Sequence, residues 1–158
     1  EGDGLRHVFV GLNPERICAA AINNGISRFA IDKGAQYAVD RSVWSTPIGA
    51  HQGVAHPLAS AYIGVQQARL MTARAAQLYD AGNPAAGEAA NMAKFAAAES
   101  SLVALDQAIQ THGGNGFAIE YGLADLWFIA RLHKTAPVSR EMILNFVAQH
   151  SLGLPKSY

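Results

Sequence analysis

Alanine and other small residues recur at three- and four-residue steps along most of this chain, while β-branched runs and period-two alternation are almost absent. That combination confines the chain to helices, by propensity and by pattern alike. The punctuation divides it into four main helices and one short one. Asn13 reads as an N-cap, Pro14 as the first helical residue and Glu15 as an acid placed against the positive end of the helix dipole. Cys18, Ile22, Ile26 and Phe29 then mark an apolar stripe and Arg28, Asp32 and Gln36 a polar one, to about Arg41.

Pro and Gly in Ser45-Thr46-Pro47-Ile48-Gly49 break the helix, and a second one, carrying Ala59, Ile63 and Leu70, runs to about Ala81. Gly82-Asn83-Pro84 is the next turn, after which Ala98, Leu102, Leu105 and Ile109 repeat at helical spacing up to Gly113-Gly114-Asn115-Gly116. A short helix is expected over 123–132. Pro137 and Ser139 announce a last one over 139–151. Long helices, short breaks and small residues predict an all-α fold, an antiparallel up-down four-helix bundle.

Charge and composition exclude several classes. Lys and Arg total 12, as do Asp and Glu, so no basic face is available for nucleic acid. The single cysteine, Cys18, cannot close an internal disulfide and is expected in the core; no Cys/His cluster has metal spacing, and none of the six histidines forms a metal site. No apolar run is long enough for membrane insertion, and Glu1-Gly2-Asp3-Gly4 lacks the plan of a signal peptide, so the chain reads as a cytoplasmic piece cut from the middle of a longer protein.

Four ordered strings go beyond a generic bundle: Gly11-Leu12-Asn13-Pro14-Glu15-Arg16; Tyr37-Ala38-Val39-Asp40-Arg41 with Trp44 and His51-Gln52; Gln110-Thr111-His112-Gly113-Gly114-Asn115-Gly116-Phe117 with Glu120-Tyr121; and Leu152-Gly153-Leu154-Pro155-Lys156-Ser157-Tyr158. In order and separation they resemble the C-terminal domain of the acyl-CoA dehydrogenases, over essentially the whole chain. Trp44-Ser45 stands where the family usually has Phe-Gly. The resemblance implies a boundary, with residues 1–12 as the tail of a preceding middle domain or linker and 13–158 as the C-terminal four-helix bundle.

It also implies a chemistry: α,β-dehydrogenation of an acyl-CoA thioester, with a carboxylate removing the α-proton and FAD accepting the β-hydride. Medium- and short-chain members keep that carboxylate in a Glu-Gly-Thr motif before the last helix. Aligning Tyr121, Ala130 and Val147-Ala148 puts Pro137-Val138-Ser139 there, and proline has no ionisable group. Isovaleryl-CoA and long-chain members place the base on the first bundle helix before an Arg, which here is Glu15 followed by Arg16. The resemblance therefore implies Glu15 as catalytic base and Asn13 and Arg16 as substrate-binding residues. Locally, Glu15 also reads as a solvated first-turn acid worth ~0.3–1 kcal/mol.

For the FAD of a neighbouring subunit the resemblance implies contacts from Arg41, Trp44, Gln110, Gly113 and Gly114, with His51 and Gln52 near the flavin and Ser139 and Glu141 touching the flavin cofactor. Each has a local alternative: a helix-end charge for Arg41, a core plug for Trp44, helix capping for His51 and Gln52, C-capping for the glycines, an N-cap for Ser139. The added charge of Glu141 departs from the family's Gln. Further expectations are an electron-transfer flavoprotein as acceptor, a homodimer or homotetramer, and no activity in the fragment alone. The competing readings are a non-catalytic partner subunit of a hetero-oligomer and a helical interaction module without enzymatic ancestry.

Overall fold

The structure, a computed structural model, describes residues 2–156; Glu1 of the acidic start and Ser157 and Tyr158 of the tail lie outside the described residues. It is all-α apart from one small hairpin. Three long helices, α1 (Gly4–Asp40), α2 (Gln52–Asp80) and α3 (Ala86–His112), are followed by α4 (Leu126–Leu132) and α5 (Arg140–Phe146), the last continued by a π-helical turn over Val147–Ser151. Between α1 and α2 the strands β1 (Ser42–Val43) and β2 (Thr46–Pro47) pair antiparallel.

The long helices run up, down and up, and α4 and α5 together make the fourth, descending column. Leu123 and Ala130 pack with Ala104, Leu105 and Ala108 in the second half of α3. Further along, Val138 and Arg140 reach Lys94 and Glu99, and at the far end Ser151 reaches Glu88, so the column as a whole runs against α3. Among the described residues three helices are long. The expected 139–151 helix is a shorter α-helix with a π turn, and it starts where Ser139 accepts the Met142 N–H at 3.3 Å, as an N-cap does.

The first helix begins ten residues earlier than expected, at Gly4 instead of Pro14. Asn13, Pro14 and Glu15 lie inside α1, not at its start, and Asn13 caps nothing. Proline forfeits one bond to the carbonyl four residues back, but its fixed φ is helical and nothing between Leu5 and Leu12 breaks the helix. What changes at this point is packing: residues 2–11 are exposed, and half-burial starts at Leu12.

The apolar stripe is corrected too. Of Cys18, Ile22, Ile26 and Phe29 only Ile26 is buried; Cys18 is an exposed free thiol. The face of α1 turned inward carries Arg16, Ala19, Ala20, Asn23, Ser27, Ala30, Ile31, Gly34 and Ala38. Close approach explains the preference for small residues: a Cβ on Gly34 would stand 3.1 Å from Leu58 Cδ2 and 3.3 Å from Ala108 Cα. Larger side chains, among them Leu105, Leu123, Ile143 and Val65, fill what the alanines leave, each worth about 1.5–3 kcal/mol on burial.

Candidate active site

The region around Glu15 is organised by α3. Arg16 is 4% exposed. Its Nη1 donates to Asn91 Oδ1 at 2.9 Å and its Nη2 donates to Asn13 Oδ1, while its buried Nε has no partner. Asn13 therefore orients the arginine instead of capping a helix. Burial pulls the Arg16 guanidinium below its ordinary value, against the opposing pull of neighbouring Glu15. Glu15 itself is exposed.

One turn further along α3, Lys94 is 1% exposed and donates from Nζ to the Val138 carbonyl oxygen at 2.6 Å. Burial pushes this lysine down from 10.5 to about 8; Arg16 adds to the effect, while Glu141 and Glu99 oppose it. Asn91 and Lys94 thereby gather two segments far apart in sequence: the α1 turn with Glu15 and Arg16, and the connection through Pro137 into α5. Neither residue was singled out from the sequence. A signal was present, because the buried positions Ala90, Lys94, Ala97 and Ser101 recur at helical steps and place the lysine on the inner face.

The same end carries the other ionic groups. Glu99 accepts from Arg140 Nε at 2.8 Å and pairs with Lys134 at 3.0 Å, and Glu141 lies 3.7 Å from Arg140 Nη1. Among the described residues no ion pair involves Arg16 or Lys94. His133 keeps its buried Nδ1 without a hydrogen-bond partner, and burial, helped by Lys94, lowers its pKa.

The remaining predicted residues collect at the opposite end of the bundle. Arg41, exposed, caps α1 by donating its N–H to Tyr37 O at 2.9 Å and accepts from Ile48 N at 2.8 Å. Trp44 is 91% exposed, which overturns the core-plug alternative: it sits at the tip of the hairpin, with φ +49° at Trp44 and +73° at Ser45. Left-handed backbone at Ser45 is what a glycine adopts without penalty. His51 precedes α2 without a side-chain capping bond, so capping does not account for its side chain; Gln52, exposed, opens the helix.

Across from the hairpin, Gly113 ends α3 at φ +57° with its N–H on Gln110 O, and Gly114 beside it is open to solvent. Tyr37 stacks on His112 at 4.1 Å, Tyr121 meets both edge-on, and Asn115 Nδ2 donates to the Tyr37 hydroxyl at 3.0 Å. This cluster, unforeseen in the sequence, ties the end of α1 to the turn after α3. Gly116 must be glycine, because a Cβ would lie 2.7 Å from Ile109 O.

Glu15, well inside α1, and Arg41, its C-cap, are thus at opposite ends of the bundle, roughly 40 Å apart at 1.5 Å per residue. Among the described residues no helix is long and apolar enough to cross a membrane, and no group of three or more His, Cys, Asp or Glu could hold a metal ion.

Comparison with known proteins gives a consistent result. The family described as acyl-CoA dehydrogenase, C-terminal domain, matches residues 2–152. Acyl-CoA dehydrogenase fadE12 of Mycobacterium bovis is 59% identical over 159 aligned residues, spanning 100% of this chain and 41% of that protein. Among solved structures, a glutaryl-coenzyme A dehydrogenase glutaryl-CoA complex superposes with a TM-score of 0.92 at 31% identity, over 99% of this chain and 40% of that one. Butyryl-CoA dehydrogenase from Megasphaera elsdenii gives 0.90 at 26% identity, over 96% and 39%.

Proposed function

Because this chain belongs to the acyl-CoA dehydrogenase family, as its C-terminal domain, we propose that the protein containing it dehydrogenates an acyl-CoA thioester between its α and β carbons, with Glu15 as the base. Membership removes the reading as a helical module without enzymatic ancestry. One observation carries the assignment: Arg16 is buried and held by Asn13 and Asn91, which fixes the turn, while the adjacent Glu15 carboxylate is left exposed and outside every ion pair among the described residues. The segment bearing Pro137, where other family members keep their base, is held by the same helix but offers no ionisable group at that position.

The residues present fit FAD. Arg41 supplies an unpaired guanidinium suited to phosphate oxygens, Trp44 a bare aromatic face, and Gln110, Gly113 and Gly114 an accessible polar edge with open backbone. When bound, FAD supplies the hydride acceptor. Ser139 and Glu141, with Asn13 and Arg16, belong to the end that carries Glu15; Arg41, Trp44, His51, Gln52, Gln110, Gly113 and Gly114 belong to the other. The separation of roughly 40 Å favours an arrangement in which one cofactor takes the first set from one subunit and the second from its neighbour, hence a homodimer or a homotetramer built as a dimer of dimers. An electron-transfer flavoprotein is the proposed acceptor. A cytoplasmic setting suits the exposed free thiol of Cys18.

Changing Glu15→Gln in the intact enzyme tests the base. Turnover is expected to fall by ~100-fold or more with FAD still bound. Turnover within a few-fold of wild type would remove Glu15 from the chemistry and favour a non-catalytic partner subunit.

A further inference from the structure

Two buried cations meet at this end of the bundle, and among the described residues their hydrogen-bond acceptors are neutral oxygens: Asn91 Oδ1 and Asn13 Oδ1 for Arg16, the Val138 carbonyl for Lys94. We propose that Asn91 and Lys94 are positioning residues for proton abstraction, Asn91 fixing Arg16 and with it the turn bearing Glu15, and Lys94 fixing the segment that leads into α5. The inference rests on the dehydrogenase reading above.

The geometry supports more than a packing role. Asn91 and Lys94 lie three residues apart on α3, so a single turn sets the spacing between the two halves of the site. Misplacing either half by about 1 Å is enough to slow a proton transfer by ~100-fold. The charges matter as well. Buried, unneutralised positive groups favour a substrate that gains negative charge as its α-proton leaves, and they favour it more in the transition state than in the bound ground state. Lys94 feels Arg16 from α1, Glu99 on α3, His133 just after α4 and Glu141 from α5, and Glu99 is itself paired with Lys134 and Arg140. With its proton lost near pH 8, the second cation disappears within the working range of an enzyme.

The test compares Lys94→Met, Asn91→Leu and Glu15→Gln in the intact FAD-loaded enzyme. Lys94→Met is expected to slow flavin reduction by acyl-CoA ~10-fold or more while the Kd of a non-oxidisable acyl-CoA analogue stays within about threefold. The alkaline inflection near pH 8 expected of the wild type disappears in that variant. A residue that only stabilised the fold would change melting temperature and flavin content but leave the pH profile of the surviving holoenzyme untouched. Reduction within about twofold of wild type, with the inflection retained, overturns the inference. Where Lys94→Met does not fold, Asn91→Leu decides by the same reduction and affinity criteria. Full turnover by Glu15→Gln strikes the base assignment alone. Full-rate reduction by Lys94→Met and Asn91→Leu, with Glu15→Gln inactive, strikes the positioning inference alone.

Discussion

Burying a lysine and an arginine near one another costs several kcal/mol unless hydrogen bonds and opposite charges compensate, and here the direct acceptors are neutral. The cost has a pH signature. The folded-state pKa of Lys94 lies near 8, below its ordinary 10.5, so between those values the folded chain has released a proton that the unfolded chain still binds. Stability from this group therefore rises with pH through that window, is complete above 10.5 and is lost as pH falls through about 8. Thermal melting of wild type against Lys94→Met should show it: the variant compares best with wild type below pH 8 and loses ground as pH rises toward 10.5. A difference independent of pH would contradict the shift. Legibility at this scale was uneven. Ser139 was readable as a cap because a serine before a helical run has one obvious local use. Lys94 was not, because a charge in an alanine-rich helix ordinarily faces water, and only the fold brings the Val138 carbonyl to it. The core-plug alternative for Trp44 failed for the converse reason: a large aromatic reads as core, and nothing local states that it tops a hairpin.

At the level of elements, α3 is the post on which the others are mounted. Helix ends marked by turn chemistry were legible: Gly82, at φ +62°, lies between α2 and α3, and Gly113 ends α3. The start of α1 was not, since Asn-Pro-Glu has the composition of a helix opening and also survives inside a helix when nothing upstream breaks it. The inward face of α1 was misread because hydrophobicity pointed to Cys18, Ile22 and Phe29, whereas close packing selects by size. Gly34→Ala tests that account. The added methyl would press on Leu58 and the Ala108 backbone at 3.1–3.3 Å, and denaturant melts are expected to show a loss of about 1–3 kcal/mol. A neutral or stabilising outcome would mean that α1 and α3 are free to separate slightly.

For the whole molecule, the four-column arrangement could be read from the pattern of runs and breaks, but the division of site residues between two distant ends could not, because helix length becomes distance only once α1 is known to be continuous. That division predicts complementation. Arg41→Ala and Glu15→Gln are each expected to impair the intact enzyme, the first by weakening FAD binding. Mixed dimers of the two would hold one site with both Glu15 and Arg41 intact, and up to about half of wild-type activity is expected to return. No recovery in verified mixed dimers would place both ends on a cofactor held by one chain.

The account depends most on the carboxylate of Glu15 taking the α-proton. Intact wild-type enzyme and Glu15→Gln, each mixed with saturated acyl-CoA in deuterated water, can be compared by mass spectrometry for deuterium entering the α-carbon. The prediction is ready exchange by wild type and a rate lower by ~100-fold or more in the variant, with FAD content unchanged. Exchange at the wild-type rate in Glu15→Gln would show that another group removes the proton.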